Sequence, residues 1–182
     1  MLSHTEQNQI LQLASMSFGD GYLTKKELVE YNKNANTKVL VEIQSKEIVG
    51  FSIVQVIAKA ELKSYLFLDE NWCKKQTSNS KTIGYRKMTA VKPNSQGTGI
   101  GKLLLERGDA FLAKQTKQIF STVWQSENEA PMLSILQNSG YSIIDTVTNY
   151  WSEDSQEKKY KCQLCGEPPC KCSAIILKKE LG

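Results

Sequence analysis

The stretch that most narrows what this chain can fold into lies near its middle. Thr82 to Val91 is rich in β-branched and aromatic residues, the composition of a strand. Pro93 has no N–H to give a ladder, so pairing is expected to stop there. Asn94 to Gly99 forms a loop, and Gly97, Gly99 and Gly101 cluster at its end. Ile100, Leu103, Leu104, Phe111 and Leu112 then recur at helical spacing, which predicts a helix to about Lys114 with one apolar face. A helix start has unpaired N–H groups and a partial positive charge, and glycines let an anion approach that backbone. The stretch therefore reads as a strand–loop–helix cradle for a pyrophosphate. Two common cradles are excluded by spelling. A Walker A loop needs glycine where Gln96 stands and Ser or Thr where Leu103 stands. The dinucleotide fingerprint needs glycine where Lys102 stands.

The remaining chain alternates helical and strand patterns around this unit. Helices are predicted over Thr5–Ser17, with Ile10, Leu11, Leu13 and Ala14 inward, and from Thr24 to about Asn34. Thr24 and Glu27 have capping-box spacing. Lys38–Gln44, with Val39, Val41 and Ile43 on one face, and Ile48–Ala58 read as a hairpin. The polar, irregular segment 59–81 reads as a loop or short helical insertion. Gln118–Gln125 is a further strand, Glu129–Ser139 a helix ended by Gly140, Tyr141–Tyr150 a strand, and Ser173–Glu180 the last strand. This order predicts an α/β fold in three layers, and the length suits a single domain over 1–182. The net charge of +4 is scattered, with no dense basic run, so nucleic acid is not expected as a partner. No apolar run reaches the ~20 residues of a membrane span, and Met1–Ile10 lacks the pattern of a secretory leader. A cytoplasmic location and no membrane partner are the expectations.

Four of the five cysteines form the pattern C-x2-C-x4-C-x-C: Cys162, Cys165, Cys170 and Cys172. Four thiolates this close can close a tetrahedral Zn²⁺ site, with Gly166 and the Pro168–Pro169 pair shaping the turn. Two disulfides or a reactive thiol cluster are the alternatives. With all four positions filled by protein, such a zinc would be structural.

The hexapeptide Gln96-Gly97-Thr98-Gly99-Ile100-Gly101, preceded by Val91-x-Pro93 and followed by an amphipathic helix, resembles the acyl-CoA loop of the GNAT N-acetyltransferase superfamily. Asn138-Ser139-Gly140-Tyr141 resembles the ending of that family's next helix. The resemblance covers roughly Lys38 to Trp151. It implies a three-layer α-β-α fold with a mixed, mostly antiparallel sheet, in which the strand before the loop splays from its parallel neighbour. It also implies acetyl-CoA as cosubstrate and transfer of acetyl to a primary amine, either a small molecule or a peptide. A homodimer is compatible with it. Backbone groups of Thr89 and Val91 would meet the pantetheine amides. The amides of Gln96, Gly97, Gly99, Ile100 and Gly101 would hold the pyrophosphate, with Lys102 beside a phosphate and Asn128 near the pantetheine arm. Glu127, at the end of the strand beside the cleft, is the candidate base. The family's general-acid tyrosine is replaced by Leu136, which leaves Tyr141 and Tyr150 as candidates. The family topology also puts the cysteine-rich loop, 152–172, near the acceptor end of the cleft. The competing expectation is a module that binds acyl-CoA without turnover and uses the zinc loop to dock a protein.

Overall fold

A computed structural model describes residues 2–77, 80–125, 130 and 132–181. The first two helices, α1 (His4–Phe18) and α2 (Lys25–Lys33), each begin with a reciprocal capping box. In α1 the pair is Ser3 and Glu6; in α2 it is Thr24 and Glu27, as the spacing predicts. Strands β1 (Thr37–Gln44) and β2 (Glu47–Ala58) follow as an antiparallel hairpin. Within segment 59–81 lie a 3-10 turn at Lys59–Glu61, then α3 (Leu62–Leu66) and α4 (Glu70–Gln76). It contributes Leu62, Leu66 and Cys73 to a core shared with Tyr150 and Trp151. Next come β3 (Thr82–Val91), a 3-10 turn at Pro93–Ser95 and α5 (Ile100–Leu112). The chain ends with β4 (Gln118–Gln125), α6 (Leu133–Asn138), β5 (Ser142–Val147), α7 (Ser152–Lys158) and β6 (Ser173–Glu180).

The six strands form one sheet in the order β1-β2-β3-β4-β6-β5, and only β3 and β4 run parallel. Helix α1 packs on one face and α5 on the other, so β2 is buried nearly throughout rather than alternating. The same sandwiching corrects the reading of β1. Leu40 is buried against α5, Val39 and Val41 pack toward α1, and Ile43 is exposed beyond a register shift at Glu42/Ile43.

The inward face of α5 differs from its apolar pattern. Leu103 is exposed, and the buried face is Ile100, Leu104, Leu105, Gly108, Asp109 and Leu112. The reason is electrostatic. Arg86 of β3 is buried and donates from Nη2 to the Leu105 carbonyl at 2.9 Å. Its Nη1 lies 3.6 Å from Asp109 Oδ1, so the carboxylate must turn inward to offset a buried charge. Tyr141 donates to Asp109 Oδ1 at 2.6 Å and Lys179 to Oδ2 at 2.8 Å, which ties α5 to the far edge of the sheet. Gly108 makes room for this group, since a Cβ there would lie 2.6 Å from Arg86 Nη1. Two predicted elements are shorter than expected. The described part of the Glu129–Ser139 helix begins at Leu133, and the Tyr141–Tyr150 strand is confined to Ser142–Val147.

Candidate active site

Strands β3 and β4 pair at Gly84↔Ile119, Tyr85↔Phe120 and Arg86↔Ser121, and nowhere further along. Opposite that point, the β2–β3 register shifts between Ile53 and Val54, because Arg86 and Met88 are paired while Lys87 has no partner. A bulge of this kind bends its strand. From there β3 and β4 part, and a cleft of about 560 Å³ opens between them. The glycine-rich loop stands at its mouth. Thr89, Val91, Gln96, Gly97 and Gly101 all line it.

The loop geometry suits an anion. Gly97 and Gly99 have φ of +75° and +88°, which a residue with a side chain rarely adopts, and no atom lies within 4 Å of where a Cβ would stand on either. Gly99 is the N-cap of α5 and supplies no side-chain cap, so the helix start faces the cleft mouth without a side-chain acceptor on its amides. Gly101 serves packing as well: a Cβ there would sit 3.3 Å from Ile135 of α6. The Gln96 side chain donates back to the Val91 carbonyl at 3.1 Å, bracing the loop on its own strand. Lys102 points into solvent, 3.8 Å from Glu106. The Thr89 hydroxyl is 2.8 Å from Ser52 Oγ on β2.

The other end of the cleft is aromatic. Phe18 and Tyr22, from the end of α1 and the turn after it, face Trp151 and Tyr160. The rings of Tyr22 and Tyr160 meet edge-on, 5.0 Å apart. Burial pushes both phenols far above their ordinary range, so they remain protonated. Lys87 also lines the cleft, and its ammonium is held below its usual range by burial, with Lys158 adding to the effect.

Cys162 and Cys170 stand in the same wall. The thiols of Cys162, Cys165, Cys170 and Cys172 lie within 4.8 Å of one another, and three Sγ–Sγ separations are 3.4, 3.8 and 3.9 Å. A metal at about 2.3 Å from four tetrahedral sulfurs would set them about 3.8 Å apart. All are free thiols. Burial pushes the Cys170 and Cys172 thiols up, whereas at Cys165 burial is outweighed by the Lys171 N–H and the neighbouring thiols, which hold that thiol down; a cation bound among the four would offset their charge. The turn is closed by paired hydrogen bonds between Cys162 and Gly166, both 2.9 Å. The Lys171 N–H points at Cys165 Sγ from 3.3 Å, and the Cys170 N–H donates to buried Ser155 of α7 at 2.9 Å. The residues present therefore fit a structural zinc.

The cysteine loop also reaches across to the chain's beginning. Gln163 donates to the Ser15 carbonyl at 2.8 Å, and the Lys161 N–H donates to the Asp20 carbonyl at 3.2 Å. Gly19 lies so close that a Cβ on it would overlap the Lys161 carbonyl. The wall opposite the glycine-rich loop is thus one unit built from both halves of the sequence.

Other predicted site residues fall elsewhere. Glu127 and Asn128 lie outside the described residues. Tyr141 does not line the cleft: its hydroxyl is committed to Asp109, and burial pushes its phenol upward. Tyr150 likewise donates to the Leu66 carbonyl, at 2.7 Å, inside the core. Leu136 is buried and does line the cleft, so the position of the family's tyrosine offers no proton. Lys87, Tyr22 and Tyr160 were not singled out from the sequence. The visible signal was a pair of adjacent cations, Arg86 and Lys87, inside a central strand rich in β-branched and aromatic residues.

The sequence matches no family model and no curated protein. Solved structures share its fold. Arabidopsis thaliana NAA60 in complex with a bisubstrate analogue superposes with a TM-score of 0.71 at 12% identity, covering 100% of this chain and 95% of that one. The ribosomal-protein alanine N-acetyltransferase of Escherichia coli gives 0.65 at 15%, covering 100% and 91%. An acetyltransferase of the GNAT family from Streptococcus pneumoniae gives 0.62 at 14%, covering 97% and 95%. The fold is the one these GNAT acetyltransferases share, as the glycine-rich loop implies.

Proposed function

We propose that this protein is an acetyl-CoA-dependent N-acetyltransferase that moves an acetyl group to a primary amine. The observation that carries the reading is the parting of β3 and β4 after three paired positions, with an uncapped, glycine-lined helix start at the mouth of the gap. The amides of Gln96, Gly97, Gly99, Ile100 and Gly101 hold the pyrophosphate. Backbone groups of Thr89 and Val91, freed from the parallel ladder, bond the pantetheine amides. The thioester then lies toward Arg86 and Ser121, where pairing resumes, and the amine enters past Tyr22 and Tyr160. The acceptor is a small amine or a peptide N-terminus. Neighbours of the same fold agree with acyl transfer to an amine: one is described with a bisubstrate analogue and one is named a ribosomal-protein alanine N-acetyltransferase. Cys162, Cys165, Cys170 and Cys172 would hold a zinc that braces the acceptor wall and takes no part in the chemistry.

A module that binds acetyl-CoA without turnover is the second reading, favoured by Leu136. One experiment separates the two. Calorimetry is expected to show acetyl-CoA binding near micromolar, about −8 kcal/mol. Gly99→Val forces a β-branched side chain to positive φ in the cradle and should weaken binding about tenfold or more. Release of free CoA is then measured against a panel of amines and peptides. Binding without release for every acceptor selects the second reading, and affinity unchanged in a folded Gly99→Val protein removes the cradle.

A further inference from the structure

On the transferase reading, one proton must leave the acceptor nitrogen and one must reach the CoA sulfur. The titratable side chains that line the cleft among the described residues are Tyr22, Arg86, Lys87, Tyr160, Cys162 and Cys170. Five are committed. Cys162 and Cys170 belong to the thiol cluster. Arg86 is held by the Leu105 carbonyl beside Asp109, and a guanidinium does not give up its proton. Tyr22 and Tyr160 remain phenols, which cannot accept the acceptor's proton. Among the described residues, Lys87 is the remaining cleft group that can take that proton.

Its placement is specific. Lys87 is the residue just past the last parallel pair, Arg86↔Ser121, and it is the unpaired residue of the β3 bulge. A pantetheine arm laid along the gap with its phosphates at the loop ends at this point. Among the described residues, the Lys87 ammonium has no hydrogen bond or ion pair. The charged groups around it are Glu27 of α2 and Asp154 and Lys158 of α7, and the last two pair with each other at 2.8 Å. Tyr22, Tyr160, Arg86 and the cysteine thiols line the same cleft.

We propose that Lys87 carries the proton of the transfer. Its neutral Nζ takes a proton from the acceptor nitrogen as the C–N bond forms. The resulting ammonium gives that proton to the CoA sulfur as the C–S bond breaks. Amine and thioester become amide and thiol, and Lys87 ends each turnover neutral. This route needs no tyrosine at Leu136. Burial supports it by disfavouring the charged lysine, and Lys158 pushes the same way while Glu27 and Asp154 oppose. The sign follows: a lysine held below its usual range is neutral over more of the working pH, so kcat/KM rises with pH and levels off before an ordinary lysine would.

The test has two arms, both on the full chain. In the first, trace acetic anhydride labels the protein between pH 6 and 9, and mass spectrometry compares Lys87 with exposed Lys74. Lys87 is expected to label ahead of Lys74 at neutral pH and to be shielded by saturating CoA. In the second, Lys87→Arg and Lys87→Met are compared with the wild type. Both should lose about 100-fold or more in kcat, lose the rising limb of the pH profile, and keep acetyl-CoA affinity within about twofold. Calorimetric binding in both variants establishes that they are folded. Lys87→Arg working within about threefold of wild type means a fixed cation suffices, for example to receive an anionic acceptor, and overturns the proton route. Labelling of Lys87 no faster than Lys74 also overturns it. Failure of the wild type to release CoA with any amine overturns the transferase reading itself, which is distinct from release by both wild type and Lys87→Arg.

Discussion

Tyr141, just before β5, donates its hydroxyl to a carboxylate that also answers Arg86 of β3 and Lys179 of β6. A phenol so engaged is a strut. Tyr141→Phe removes one charge-assisted hydrogen bond at a buried site and should cost about 1–3 kcal/mol in denaturant unfolding. CoA release should stay within about twofold of wild type. A large fall in kcat with stability unchanged would instead return Tyr141 to the reaction. The same node explains why the apolar pattern of α5 misled. Leu103 and Phe111 fit a helical stripe, yet a buried Arg86 selects the face that carries Asp109. No rule of hydrophobic period signals a carboxylate needed on the inside. Lys87 was visible as a cation beside Arg86 in the central strand, but only the bulge and the missing pairing show that it faces a cleft.

At the level of whole elements, caps and turns were the most readable. Thr24 and Glu27 announced α2, Gly140 ended α6 with φ +87°, and the strand–loop–helix unit stands where its spelling put it. Elements that owe their limits to tertiary packing were less so. Strand β5 is shorter than its β-rich pattern because its ladder with β6 shifts register between Ile143 and Asp145 and ends at Val147. The cysteine loop was legible as four converging thiols, while its place beside the cleft followed from the resembled topology and not from the spacing. Its buried thiols join the core beside Tyr150 and Trp151, and Ser155 and Tyr150 support its backbone, the Tyr150 N–H donating to the Cys172 carbonyl at 3.1 Å. Purified protein should therefore carry about one zinc per chain, and cobalt substitution should give thiolate-to-metal absorption. Chelation, or Cys165→Ser, should expose 159–172 to protease while acetyl-CoA affinity stays within about twofold. A metal-free protein with an equally resistant loop would show that the thiols do not hold a metal.

Across the whole molecule, the two ends of the cleft are assembled differently. The phosphate end comes from one continuous run, 82–112. The acceptor end joins Ser15 to Gln163 and Asp20 to Lys161. Gly19, at φ +116° and against the Lys161 carbonyl, is where those two parts of the chain touch. Gly19→Ala should force them apart, raising the acceptor KM about tenfold or more while acetyl-CoA affinity remains within about twofold. Equal loss of both would mean the wall supports the entire sheet. A contact between residues so distant in sequence also has a timetable. During synthesis the donor cradle is complete once the segment after α5 has emerged, whereas the acceptor wall must wait for Cys172 and the strand that follows it. On the proposed function, a nascent chain would thus acquire its grip on the acyl donor well before it could select an acceptor, and the four thiols would be the last group to come together.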